Sequence, residues 1–422
     1  MKTYSIAFPG QGSQYIGMGK NLYDHNQIAK DVFEEACDIL HYDLSKHCFE
    51  GDIDELSKME LVQPAILTTG VAAFRVFIQD ADIRPSILLG HSLGEITALV
   101  CAGVIDFSNA LQLVFVRERL MGDKSIEKGI MMAIMGMDVK DLDHICKSIS
   151  KEHHTVEVSN INSADQIIIS GHKEAVEEVV KSVDKLGGRS ITINTGNPFH
   201  CSMMNPIKER LRRELLKYQY HDFNYPVLSN LDACLYQGKE EVVDRLSEQI
   251  VSPVCWKASI DYLVENNITT LIELSPQSVL RNLLMTDDSG IEVYSYDDKF
   301  DFDHIKQIKY RLTNDLNRKK ANKVEFIEKC VASVVSTRSH RKDERIILIY
   351  QKMKDIALQL ERDMVEPSFE EMKWVLDSLI EILHLKGVSE RECKDRITYI
   401  LYKTGFFQLF SDYIPENIKG VS

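Results

Sequence analysis

A chain of 422 residues, 44% hydrophobic and 27% charged, is long enough for two or three cores and has the balance of an ordinary globular protein. Its formal net charge of −14 argues against the clustered basic surface of a nucleic-acid binder, and no apolar run approaches the roughly 18 residues that span a bilayer. The same charge sets a requirement: an anionic ligand, repelled by the overall field, needs a cation of its own inside the site. Nine cysteines without a Cys-x-x-Cys pair point to free thiols in a reducing, cytoplasmic setting.

From the N-terminus, Tyr4 to Phe8 reads as a first strand and not as a signal peptide. The loop Pro9-Gly10-Gln11-Gly12-Ser13-Gln14 follows, then helical stretches to about Leu40. Gln63-Pro64 opens a helix, with proline in the first turn where its missing N–H does no harm. Leu67, Val71, Phe74 and Ile78 form one face of that helix. Ile87 to Leu89 reads as a buried strand, Ile96 to Val100 as the start of a helix, and Ala110 to Met121 as a further helix carrying Arg117 and Arg119. Strands alternating with helices predict a largely parallel sheet.

From about Gly129 the texture changes. Ile130 to Met135, Gln166 to Ser170 and Ser190 to Ile193 read as strands, with helices over Val139 to Ser148 and Lys173 to Leu186. That alternation predicts a ferredoxin-like insert. A helix from Pro206 to Tyr218 and strands at Val227 to Ser229 and Thr270 to Leu274 then return the chain to the larger domain. Asp297 to Asp303 reads as an acidic linker. Beyond it the chain is helix-like and rich in charged residues, with a break at Glu366-Pro367-Ser368 and a capping box at Ser368-x-x-Glu371. No internal repeat is present.

The stretch that carries chemistry is Gly90-His91-Ser92-Leu93-Gly94-Glu95. Gly-x-Ser-x-Gly between a strand and a helix is the nucleophile-elbow pattern. The glycines allow strand and helix to approach closely, and the helix start aims N–H groups and its positive dipole end at a developing oxyanion. An ordinary glycine-rich loop would share the pattern. A serine nucleophile needs a base, and His200, in Asn197-Pro198-Phe199-His200-Cys201, is the candidate, although a lone loop histidine is also commonly structural. His91 is on the wrong side of the turn for that task and suits a substrate or supporting contact. No carboxylate stands out as a third member, which leaves a backbone carbonyl to orient the imidazole. The loop Pro9 to Gln14 can present N–H groups to an oxyanion or a phosphate, or be a strand-ending turn; it is not a P-loop.

Six motifs occur in order: Phe8-Pro-Gly-Gln-Gly-Ser-Gln14; Gln63-Pro64-Ala65; Gly90 to Glu95; Asn160-x-Asn162-Ser163 with Ser170-Gly171-His172; Phe199-His200; and Gln249 with Ser252-Pro253-Val254-x-Trp256. Over about residues 1–290 the chain resembles the malonyl-CoA:acyl-carrier-protein transacylases and the related acyltransferases of polyketide synthases. The resemblance implies an α/β-hydrolase-like core (1–125 and 198–295) with the ferredoxin-like subdomain inserted (126–197), followed by a helical module (296–422). It implies Ser92 as nucleophile, His200 as base held by the main-chain carbonyl of Gln249, and an oxyanion hole from the N–H groups of Gln11 and Leu93. Arg117 falls at the family's arginine, whose planar fork pairs with the malonyl carboxylate. Gln63, His91, Asn160 and Asn162 lie in motifs that line the substrate site, and Phe199 leaves little room for a methyl branch, a preference worth about 1–2 kcal/mol.

Malonyl-CoA and an acyl-carrier protein are the implied partners, without metal, cofactor, membrane or nucleic acid, and a monomer is the family's habit. Glu273-Leu-Ser-Pro-Gln277 and Cys255 depart from the family pattern. The helical module has no counterpart in the housekeeping fatty-acid enzyme, which favours a discrete acyltransferase serving a polyketide synthase in trans over the fatty-acid transacylase. A proofreading hydrolase of carrier-bound acyl groups and a non-catalytic docking protein are the rivals.

Overall fold

Strand β1 (Tyr4–Phe8) is buried along its whole length, as a central strand of a parallel sheet must be when helices cover both faces. It pairs in parallel with β2 (Leu88–Gly90), Phe8 lying opposite Gly90. The computed structural model describes residues 4–58, 60–79, 84–193, 196–285, 289–337, 339, 343–363, 365–406 and 409–413. The chain divides into two compact units, 1–309 and 310–422.

In the first unit, helix α1 (Val62–Gln79) has its expected proline in the first turn, and α2 (Leu93–Cys101) starts directly after Ser92. Helix α3 (Phe107–Met121) follows Asp106 at its N-cap position, without a side-chain capping bond, and buries Arg117. A second, antiparallel sheet follows, built from β3 (Ile130–Met135), β4 (Val156–Ile161), β5 (Gln166–Gly171) and β6 (Arg189–Ile193) in the order β4-β5-β3-β6. Helices α4 (Val139–Ile149) and α5 (Lys173–Lys185) pack Leu142, Cys146, Val176, Val179 and Val183 against one face. The chain then contributes α6 (Val242–Gln249), β7 (Thr270–Glu273) and β8 (Glu292–Ser295) to the larger lobe, whose sheet order is β2-β1-β7-β8.

Three sequence-based expectations change. Strand β4 was not anticipated, because Ser159 and Asn160 interrupt its apolar pattern; both are buried by the fold around them. Val227 to Ser229 forms no extended strand, only isolated bridges from Val227 to Leu88 and from Leu228 to Leu235. The expected acidic linker is instead structured: helix α7 (Lys299–Ser336) begins inside it. Asp301 is buried, ion-paired to Arg281 at 2.6 Å, and accepts from the Ser295 amide at 2.9 Å.

In the second unit, α8 (Glu344–Asp363), α9 (Phe369–Leu385) and α10 (Glu390–Thr404) share a core with the later part of α7, around Phe326, Cys330, Met353, Leu376, Leu379, Ile397 and Leu401. The capping box at Ser368 and Glu371 opens α9 as expected. The nearly buried Lys386 donates to the carbonyls of Val334 and Thr337 at the end of α7, the latter at 2.8 Å. No helix among the described residues is long and apolar enough to cross a membrane.

The tightest backbone approach positions the elbow. A Cβ on Gly94 would stand 2.0 Å from the carbonyl oxygen of Phe8, and one on Gly90 would stand 1.9 Å from the main chain of Gly94. Main-chain atoms on both sides leave nothing to give way. Gly94→Ala is therefore expected to cost about 3 kcal/mol or more of unfolding free energy, read from a denaturant titration; a loss below about 1 kcal/mol would contradict the packing described.

Candidate active site

With β2 ending at Gly90 and α2 starting at Leu93, two residues reverse the chain. Ser92 takes φ 52° and ψ −107°, a left-handed conformation that costs a non-glycine residue and is held only by its surroundings. Gly94 N–H donates to the His91 carbonyl at 2.9 Å and Glu95 N–H to that of Ser92 at 3.0 Å. The Ser92 amide donates to Asn230 Oδ1 at 2.7 Å.

His200 meets Ser92 across 108 residues of chain, Nε2 to Oγ at 2.8 Å. It also has a left-handed φ, 57°. Its Nδ1 lies 2.9 Å from the main-chain oxygen of Gln249. A carbonyl can only accept, so Nδ1 carries the proton and Nε2 offers its lone pair to the serine hydroxyl. Burial, and next the nearby Arg117 guanidinium, lower the His200 pKa to about 3, which keeps the ring neutral at physiological pH. This pair can take the proton of a serine hydroxyl as the hydroxyl attacks.

His91 is directed elsewhere. Its Nε2 pairs with Asn162 Oδ1 at 2.9 Å, Asn162 Nδ2 donates to Gln166 Oε1, and burial lowers the His91 pKa. Asn160 is buried in β4, its Oδ1 accepting from Ser159 Oγ at 3.0 Å; no hydrogen bond among the described residues joins it to Ser92 or His200. Phe199 is buried beside His200.

Arg117 is 2% exposed. One terminal nitrogen donates to Gln63 Oε1 at 2.9 Å; the other reaches Ser92 Oγ at 3.3 Å and Gln249 Oε1 at 3.4 Å. Burial lowers its pKa to about 10, with Glu118 and Glu95 opposing, so the guanidinium stays charged. Among the described residues it hydrogen-bonds two amide oxygens and a hydroxyl, and no carboxylate. A buried cation without a bonded anion fits an acidic ligand group.

The loops after β1 and β2 leave the same edge of the sheet, the carboxyl ends of parallel strands, where ligands of open α/β sheets gather. They lie in contact: a Cβ on Gly10 would stand 2.5 Å from the His91 carbonyl oxygen. The N–H groups of Gln11 and Leu93 have no acceptor among the described residues, so both are free to bind an oxyanion. No group of three or more His, Cys, Asp or Glu among the described residues is gathered as a metal would require.

Three residues of the site had not been singled out from sequence. Glu95, 0% exposed, accepts from Tyr236 Oη at 2.5 Å, from the Asn230 amide at 3.0 Å and from Gln249 Nε2 at 2.7 Å. Burial pushes its pKa up, and these donors oppose that shift. Asn230 also donates through Nδ2 to the Gly90 carbonyl at 2.6 Å. Glu95 lies within the elbow motif, but its partners are 135 to 154 residues away, and nothing local to Asn230 or Tyr236 marks them.

The acyl transferase domain family matches residues 6–294. A malonyl CoA-acyl carrier protein transacylase of Bacillus subtilis is 35% identical over 379 residues, covering 88% of this chain and 94% of that protein. One from Escherichia coli is 37% identical over 285 residues, covering 67% of this chain and 92% of that protein. Among solved structures, an acyl carrier protein S-malonyltransferase from Vibrio cholerae superposes with a TM-score of 0.69 at 33% identity, covering 72% of this chain and all of that one. A malonyl-transacylase in complex with a type II polyketide synthase acyl-carrier protein superposes at 0.68 with 34% identity, covering 71% of this chain and 97% of that one. A serine–imidazole pair on a strand–turn–helix elbow, in a chain matched this extensively, places the protein in the malonyl-CoA:acyl-carrier-protein transacylase family.

Proposed function

We propose that this protein transfers malonyl from malonyl-CoA to the phosphopantetheine thiol of an acyl-carrier protein through an ester on Ser92. The observation that carries this reading is the buried Arg117 beside the Ser92–His200 pair, with no carboxylate bonded to it among the described residues. Ser92 Oγ attacks the thioester carbonyl while His200 Nε2 takes its proton. The N–H groups of Gln11 and Leu93 stabilise the oxyanion. On collapse the carbon–sulfur bond breaks, and the imidazolium returns the proton to the departing CoA thiolate. The carrier thiol then attacks the Ser92 ester, His200 taking the thiol proton and returning it to Ser92 Oγ. Arg117 pairs with the malonyl carboxylate. Gln63 holds the guanidinium from one side, and Gln249 holds the imidazole through its carbonyl. Phe199 restricts branching at the acyl α-carbon, while His91 from the elbow and Asn160 and Asn162 from the antiparallel lobe line the approach.

The finer architecture we infer is an α/β-hydrolase-like core over 1–125 and 198–295, a ferredoxin-like subdomain over 126–197 and a helical module over 296–422. The order β3-α4-β4-β5-α5-β6 supports the middle assignment. Our reading is a cytoplasmic monomer serving a polyketide synthase in trans. The separate helical unit supports this. The Bacillus subtilis relative matches a larger share of the chain than the first 309 residues supply, so that match extends into the helical unit. Fatty-acid synthesis remains the second pathway for the same reaction.

Loading is read by intact mass after exposure to malonyl-CoA, and transfer by mass of a holo carrier protein. The wild type is expected to gain one malonyl group and pass it on, and Ser92→Ala to gain none. Arg117→Ala is expected to lose malonyl loading by about 100-fold or more while neutral acyl-CoAs are affected far less. Rapid hydrolysis of acetyl-carrier protein without malonyl transfer would favour a proofreading hydrolase. No acyl gain from any acyl-CoA would favour a docking protein.

The depressed pKa of His200 gives a signed pH dependence. The base is lost only when the ring protonates, and that lies well below the ordinary histidine range. The rate of Ser92 acylation is therefore expected to stay level from pH 8 down to about pH 5. A tenfold fall per pH unit starting near the ordinary histidine value would contradict this.

A further inference from the structure

A side-chain amide can be turned over, exchanging its donor and acceptor ends, and its neighbours decide which end faces where. At Gln249 the amide lies between a carboxyl group and a guanidinium. Nε2 faces Glu95 Oε2 at 2.7 Å and the Ser92 carbonyl at 3.1 Å, while Oε1 faces Arg117 Nη2 at 3.4 Å. Turned over, the amide would set its oxygen against those two oxygens and its NH₂ against the guanidinium. Glu95 is what makes one orientation pay. Through its other contacts the same carboxylate fixes Asn230, which grips the elbow at both the Ser92 amide and the Gly90 carbonyl.

Resting on the function above, we propose that Glu95 is a positioning residue that, by orienting Gln249 and Asn230, fixes the Arg117 fork relative to Ser92 and so sets the preference for acyl groups bearing a carboxylate. Glu95 does not touch the substrate. It supplies a buried acceptor for three donors on two separate segments, Asn230 and Tyr236 on one and Gln249 on the other. Gln249 therefore acts twice, its main chain holding His200 and its side chain holding Arg117. A glutamine at position 95 keeps one oxygen for Asn230 and Gln249 and can turn its NH₂ toward the Tyr236 oxygen, so it retains the arrangement; an alanine releases it.

The test compares pre-steady-state loading of Ser92 from malonyl-CoA and from acetyl-CoA in the full chain, with folding checked by circular dichroism and thermal melting. Glu95→Ala is expected to lower the malonyl-over-acetyl preference about tenfold, the size of one charge-assisted hydrogen bond lost. Glu95→Gln is expected to restore the preference to within about threefold of wild type. A merely structural role would slow both acyl groups by one factor, or reduce only the fraction of reactive protein, and either result overturns the proposal. Should Glu95→Ala fail to fold, Gln249→Met keeps the carbonyl that holds His200, and the same tenfold loss of preference is expected; an unchanged preference overturns the proposal. A wild-type chain that takes no malonyl overturns the function and this inference together. A wild type that loads malonyl while Glu95→Ala keeps its preference overturns this inference alone.

Discussion

Everything proposed for this protein depends on the 2.8 Å contact between Ser92 Oγ and His200 Nε2. Neither residue lies in a relaxed backbone conformation, since both have positive φ, and two such residues meet only where the surrounding structure overrides the local cost. On the serine side the override is steric: Gly90 and Gly94 let strand, turn and helix close to distances no side chain would permit. On the histidine side it is a single main-chain carbonyl at Gln249, which also fixes the tautomer. A carbonyl orients the ring as a carboxylate would, without adding a negative charge that would raise the imidazole's basicity. The base is kept neutral and ready, at the cost of being a weaker one.

Charge selects the ligand in a chain that repels anions as a whole. A net charge of −14 gives a diffuse field, largely screened beyond about 8–10 Å at physiological salt, whereas Arg117 acts at contact distance in a site shielded from water. Its hydrogen bonds to Gln63, Gln249 and Ser92 engage both terminal nitrogens but leave the charge without a bonded anion among the described residues. An incoming carboxylate supplies that anion, so binding and selection of a dicarboxylic acyl group become one event. Position matters as much as charge, because the fork stands against the nucleophile itself.

What was legible in the sequence was what is local. The elbow announces itself because glycines at fixed spacing are the only residues its geometry accepts, and the α1 proline and the Ser368 cap are equally short-range signals. His200 was a candidate base with only a weak local signature, a lone histidine in a loop; the ordered motifs of a family resemblance strengthened it. The Gln249 carbonyl belongs to the main chain and carries no residue type that spacing could reveal. Glu95 stood in the open within the elbow motif, yet its partners Asn230, Tyr236 and Gln249 come from distant segments. The misread stretches have the same cause: Asp301 looks like a solvated linker residue until Arg281, twenty positions earlier, is folded against it, and β4 hides behind polar residues that the fold buries.

The central claim is that one imidazole, held by one carbonyl, activates one serine for covalent transfer. Rapid mixing with malonyl-CoA, followed by release of free CoA thiol, tests it most directly. The expected result is a burst of one CoA per protein chain followed by a slow phase, with the burst lost in His200→Ala. Release that rises linearly from zero, or a burst that survives removal of the imidazole, would contradict the claim.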